Sequence, residues 1–213
     1  MCTRPATSRE HVPPRCLFPP GNESRKALIS VPSCDEHNNG KSTDDDFISQ
    51  VLALASGAKS SAVALTIDRV TRAVQRAPKL MQHLLSFPVG VLCHDQSEEL
   101  RVESLGLKLD MSRFDDHMST CARALYFDRT KSKFFGVISV ITSFTLYAAT
   151  DVQHRQIRDA FRDAKDFFSD KLSIGENPEV FFYKWDENQD QCIMLFTFYT
   201  NLQVLVRLDK RNC

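Results

Sequence analysis

The residues in this chain that could do chemistry are few, and their spacing argues against most of the chemistry they could do. Cys93-His94-Asp95 sets a thiol, an imidazole and a carboxylate side by side. Successive residues of a strand point to opposite faces, whereas a catalytic thiol and its base usually meet from distant parts of a chain, so adjacency favours a buried structural thiol beside a strand-end histidine. His117 and Cys121 would share one side of a helix with Asp116 nearby, enough for two metal ligands. A closed site would also need Cys34 and His37, and nothing in the sequence gathers them. Neither a metal nor a cofactor is expected. Asp115-Asp116, Asp163 with Asp166, and Asp186-Glu187 sit in polar contexts where solvation leaves a carboxylate ordinary. With 7 glycines in all, Asn39-Gly40-Lys41-Ser42 lacks the spacing of a phosphate loop, and no Gly-x-Ser-x-Gly elbow occurs. The expectation is a protein that is not an enzyme.

Two patterns point instead to binding. Arg69, Arg72 and Arg76 fall on one side of an expected helix, with Lys79 beyond, and could grip phosphates or carboxylates. The competing reading is a solvated face opposite the Val63, Ile67, Val70 and Val74 stripe. Phe181, Phe182, Tyr183, Trp185, Phe196, Phe198 and Tyr199 crowd two expected strands, as stacking platforms for single-stranded nucleic acid do. Aromatics in strands more often form core. Residues 96–213 carry 16 basic and 18 acidic side chains, so no electrostatic groove accompanies the aromatics. Arg69, Arg72, Arg76, Lys79, Trp185 and Tyr199 are the candidate partner-binding residues.

Composition narrows the class further. Lys plus Arg equals Asp plus Glu at 27 each, so no global field draws the chain to nucleic acid or an anionic membrane. Seven scattered cysteines read as reduced thiols, and residues 1–26 contain no apolar run of signal-peptide type, which together suggest a cytoplasmic or nuclear address. The run 134–149 is too short and too often interrupted by Ser and Thr to span a membrane.

Several elements must position these residues. Residues 1–45, rich in Pro, Asn, Ser and Asp, read as a disordered tail with two apolar islands, at Cys16-Leu17-Phe18 and at residues 27–31. A helical segment over 46–87 begins after Asp44, Asp45 and Asp46 and breaks near Gly57 and Pro78. An α+β domain fills 88–213. In it, 89–93 and 100–109 read as strands, 114–127 as a helix turning into a strand, and 133–149 as a central strand. That last run puts Phe134, Ile138, Val140, Phe144 and Leu146 on one face and Phe135, Val137, Ile141 and Tyr147 on the other, both covered. Thr150 with Gln153 forms a capping box for a long amphipathic helix, whose stripe is Ile157, Ala160, Phe161, Ala164, Phe168 and Leu172. Strands follow over 180–185, 191–199 and 202–208, with Thr200-Asn201 a tight turn or a bulge.

The fold class is thus α+β, a mainly antiparallel sheet packed against one long amphipathic helix. From about residue 120 the element order strand, strand, helix, strand, strand, strand resembles that of longin-like or profilin-like domains, which implies a docking module. Starting instead at Glu98, the order fits an oligonucleotide-binding barrel. The first layout predicts an adaptor or subunit with a protein partner, and the second a single-stranded nucleic-acid binder. A homo-oligomer through a sheet edge at residues 202–208 is also open, since natural proteins usually cover such an edge.

Overall fold

The computed structural model describes residues 4–20, 24–36, 42–56, 89–94, 101–106, 110–144 and 151–211. Strands β8 (Gln191–Phe198) and β9 (Leu202–Asp209) form its centre: β9 alternates buried and less buried residues along its length, and β8 is buried on both faces over Met194–Phe198. Their inward residues Cys192, Met194, Phe196, Phe198, Val204, Val206 and Leu208 are wholly buried. The hairpin turn between them is Tyr199–Asn201, with Asn201 N–H donating to the Phe198 carbonyl at 3.2 Å, so Thr200-Asn201 is a turn and not a bulge. β7 (Phe181–Glu187) pairs with the far side of β8, and β6 (Ile174–Asn177) pairs with β7. On the other side, β5 (Val137–Thr142) pairs with β9. The result is an open five-stranded antiparallel sheet in the order β5-β9-β8-β7-β6.

That order corrects several expectations. The sheet is open, not a closed barrel. β3 (Val89–His94) and β4 (Arg101–Gly106) pair only with each other, so the strands a barrel needed are absent from the main sheet. β9 lies inside the sheet, so residues 202–208 are not an edge. β5 is at the edge, not the centre: among the described residues its outer side pairs with no strand. One strand of the sheet precedes the crossing helix and four follow it, rather than two and three.

One reason for the altered order is that 114–127 never turns into a strand. Helix α2 (Met111–Thr130) keeps a single apolar stripe through Phe114, Met118, Cys121, Ala122 and Leu125, and the 3.6-residue period outlasts the local β-like look of Leu125-Tyr126-Phe127. Asp110 caps it by accepting from Arg113 N–H at 3.1 Å, and Lys131 at φ 59° ends it. Helix α1 (Ser42–Ser56) buries Phe47, Ile48, Val51 and Leu52 beside it. Arg113 links the two helices: its guanidinium donates to Asp44 Oδ1 and to the Thr43 carbonyl, each at 2.7 Å, and lies 4.4 Å from the centre of the Phe47 ring.

The segment expected to be a mobile tail is part of this same layer. β1 (Ser8–His11) pairs antiparallel with β2 (Ser30–Ser33), and Val12, Leu17, Phe18 and Val31 join the core. Averaging composition over 45 residues diluted the two apolar islands, and both dock on the chain's own sheet and helices. Tyr199 Oη donates to the Leu17 carbonyl at 3.1 Å, tying the segment to the β8–β9 turn. Tyr199 and Thr200 both have positive φ, 49° and 68°, which is unfavourable for side-chain-bearing residues, so this anchored ring helps hold the turn.

The opposite face of the sheet carries helix α3 (Asp151–Phe167). Ala164 and, just past the helix, Phe168 pack on Leu195, with Phe161, Ile193 and Leu205 around them. Lys184 Nζ donates to the Phe168 carbonyl at 2.6 Å and Lys171 pairs with Asp186 at 2.9 Å, fixing the helix end to β7. Leu172, expected in the apolar stripe, is 85% exposed because the chain has left the helix before reaching it. Arg162 pairs with Asp159 at 3.0 Å.

Leu17→Ala is expected to lower stability by about 2–5 kcal/mol, as a fully buried leucine in a packed core should. A urea-unfolding midpoint reads this, and an unchanged midpoint would mean that residues 4–36 are a dispensable tail after all.

Candidate functional site: the open sheet edge

Of the residues singled out for partner binding, the structure describes Trp185 and Tyr199. Arg69, Arg72, Arg76 and Lys79 lie outside the described residues. Tyr199 is 1% exposed and committed to the core, so it presents no binding surface. Trp185 is half-buried on β7, with its ring 5.8 Å from that of Tyr126 and the Arg129 guanidinium 5.3 Å from its centre. Phe181, Tyr183, Phe196 and Phe198 are buried against one another, with Phe181 and Phe198 centroids 5.0 Å apart. Those rings fill the interior, so they offer no stacking platform to a nucleic acid.

His117 and Cys121 face inward from α2, and Cys34 is buried after β2, while His37 lies outside the described residues. Among the described residues no three of His, Cys, Asp and Glu gather as metal ligands. Cys93 and His94 end β3, opposite Val102 and Arg101 of β4. Burial pushes the Cys192 thiol well up, helped by Glu187, so it stays protonated. Asp115 departs from the ordinary behaviour expected of it: burial, then the neighbouring charge of Asp116, raises its pKa. An open cleft of about 430 Å³ between α1 and α2 includes Asp44, Asp110, Asp116 and His117, but its cation, Arg113, is already held by Asp44 and Thr43.

A second polar cluster lies on the N-terminal ribbon. His11 ends β1, and burial followed by the charges of Arg15 and Arg9 lowers its pKa from the usual 6.5. The Arg9 guanidinium spans the ribbon to the Ser30 hydroxyl and carbonyl at 2.8–3.0 Å.

The surface that stands out is β5. Val137 is 59% exposed and Ile141 37%, on the side of the sheet that α3 covers, and Phe135 just before the strand is 60% exposed. In the register of the sheet, Ile141 continues a row through Leu205 and Leu195. The helix covers the inner end of that row and leaves its outer end in solvent. Ser143 N–H donates to the Gln203 carbonyl at 3.0 Å, and by the two-residue alternation of an antiparallel ladder Ile141, Ser139 and Val137 also face β9. Ile138 and Val140 therefore turn N–H and C=O outward, away from β9.

Natural proteins blunt such edges with charge, proline, bulges or brevity. The far edge follows that rule. β6 has four residues, a register shift, Glu176, and Gly175 at φ 149°, where an added Cβ would lie 2.7 Å from the Phe181 carbonyl oxygen. β5, reading Val-Ile-Ser-Val-Ile-Thr, has none of these devices. Sequence alternation did separate Phe135, Val137 and Ile141 from Phe134, Ile138 and Val140. What it missed is that no described element covers the first set, and the lack of any charge in the strand disguised the edge as a centre.

The chain matches no family model, no curated protein and no solved structure. No helix among the described residues is long and apolar enough to cross a membrane.

Two outcomes follow from these contacts. Tyr199→Phe leaves the buried Leu17 carbonyl without its donor and is expected to cost about 1–3 kcal/mol in chemical denaturation, with no effect on partner binding; a stability equal to wild type would remove that anchor. His11 binds a proton less readily folded than unfolded, so stability is expected to fall as pH drops through 6.5, and His11→Gln should flatten that part of the curve. Identical pH profiles for the two proteins would contradict the burial assigned to His11.

Proposed function

We propose that this chain is a non-catalytic protein–protein interaction module, an adaptor or subunit of a larger assembly, that docks through the outer edge of β5. The observation that carries the reading is the combination in one strand of exposed Val137 and Ile141, outward-turned backbone at Ile138 and Val140, and no charge. An added strand gains main-chain hydrogen bonds and buries apolar side chains in the same contact. Helix α3 serves in this reading as the amphipathic cover of the sheet, with Ala164 turned in and Arg155, Arg162 and Asp166 turned out, and it stops short of the edge strand. In this reading the compartment is cytoplasm or nucleus, in keeping with seven cysteines scattered along the sequence without close pairs.

A second reading, contact with nucleic-acid phosphates, draws on one observation: Arg9 and Arg15 both lie close enough to His11 to lower its proton affinity, so cationic groups gather on the β1–β2 ribbon. Oligonucleotide binding that weakens steeply with salt and is lost in Arg15→Ala would favour it.

Affinity capture from native extract with wild-type and Val137→Lys baits tests the first reading. A near-stoichiometric partner that resists salt should be recovered by wild type and fall at least tenfold with Val137→Lys, while Leu172→Lys, at a more exposed residue away from β5, retains it. Equal recovery by all three baits would contradict docking at this edge.

A further inference from the structure

Resting on the reading of β5 as the docking edge, we infer that its occupant is β5 of a second copy of this chain, the two strands pairing antiparallel about a two-fold axis to make one continuous ten-stranded sheet. The strand is complementary to itself in one register. Setting Ser139 opposite Ser139 of the second copy places Val137 opposite Ile141 of that copy and Ile141 opposite Val137. It also places Ile138 opposite Val140 and Val140 opposite Ile138.

The backbone parity agrees with that register. Ile138 and Val140 are the residues whose N–H and C=O face outward, so they form the hydrogen-bonded pairs across the axis. Val137 and Ile141 then fall in non-hydrogen-bonded positions, where opposite side chains approach most closely, about 4.5–5.5 Å between Cβ atoms. The two exposed apolar side chains of the strand thus cover each other, and the small serine occupies the crowded axis. A closed two-fold contact of this kind uses the same patch on both copies and leaves neither β5 edge open.

Charge is compatible with self-pairing. β5 contains no ionisable residue and the chain has a formal net charge of +0, so two copies meet without like-charge repulsion along the strand or between whole molecules. A charged partner strand would find no opposite charge on β5 itself. The opposite edge, short and bulged at β6, is unsuited to the same contact, so association closes at two copies instead of propagating.

Sedimentation velocity on the full chain across a concentration series, with circular dichroism to confirm folding, tests the pairing through a charge exchange. Wild type should sediment as a concentration-dependent dimer. Val137→Lys and Ile141→Glu singly should weaken it at least tenfold, since each sets a charge against an aliphatic group. The double substitution Val137→Lys with Ile141→Glu should restore it to within a few-fold of wild type, because each lysine then faces a glutamate of the other copy. A wild-type chain that stays monomeric, a dimer indifferent to both single substitutions, or a double variant that fails to reassociate each overturns the inference. If wild type is monomeric but Val137→Lys still loses a captured partner, only the identity of the occupant is wrong. If Val137→Lys changes neither mass nor capture, the docking reading fails with it.

Discussion

The rest of this structure depends on covering one face of two strands. The inward residues of β8 and β9 are apolar almost without interruption, and burying side chains of this size is worth about 1.5–3 kcal/mol each relative to exposure. No single helix spans that surface. The chain therefore commits α1, α2 and the β1–β2 ribbon to the same side, with Leu17 and Phe18 closing the corner near the Tyr199 turn. Arg113, held by Asp44 and Thr43, fixes how the two helices meet.

That commitment leaves the other face thinly covered. Among the described residues, α3 alone lies on it, and its contacts reach Leu195, Ile193 and Leu205. Ile141 is the outer end of the apolar row through Leu205 and Leu195, one strand further on. The asymmetry links the core to the proposed docking edge: among the described residues, the other elements that cover the sheet lie on its opposite side. In that reading the docking surface is what the packing leaves over, at the edge of the five-stranded sheet that the sequence does not blunt.

How much of this was legible in the sequence follows from which interactions are local. α3 and strands β7, β8 and β9 are set by neighbours within a few residues, and their local patterns show them. The α+β class and antiparallel sheet follow from the same signals. Position within the sheet is not local. The alternation of β5 fits a strand covered on both faces as well as one with an open side, because it reports which residues share a face and not what lies beyond them. The same limit hid the role of Leu17 and Phe18, whose partners are about 180 residues away, and the fate of Tyr199, whose hydroxyl satisfies a carbonyl at the other end of the chain. The continuation of α2 to Thr130 was readable, since Phe114, Met118, Cys121, Ala122 and Leu125 keep one period throughout. The strand-like look of the last few residues masked it. Phe181, Tyr183, Phe196 and Phe198 are core, as strand preference favoured, but Tyr199, taken as a binding residue, is core as well, and both its burial and the exposure of Val137 needed the tertiary arrangement.

Amide hydrogen exchange resolved at single residues along β5 tests the central claim most directly. In dilute protein, Ser139 and Ile141, which face β9, should exchange slowly, whereas Ile138 and Val140, which face outward, should exchange quickly and become protected as an occupant fills the edge at higher concentration. Slow exchange at all four in dilute protein, or fast exchange at Ile138 and Val140 that no increase in concentration and no added partner changes, would contradict β5 as the docking edge.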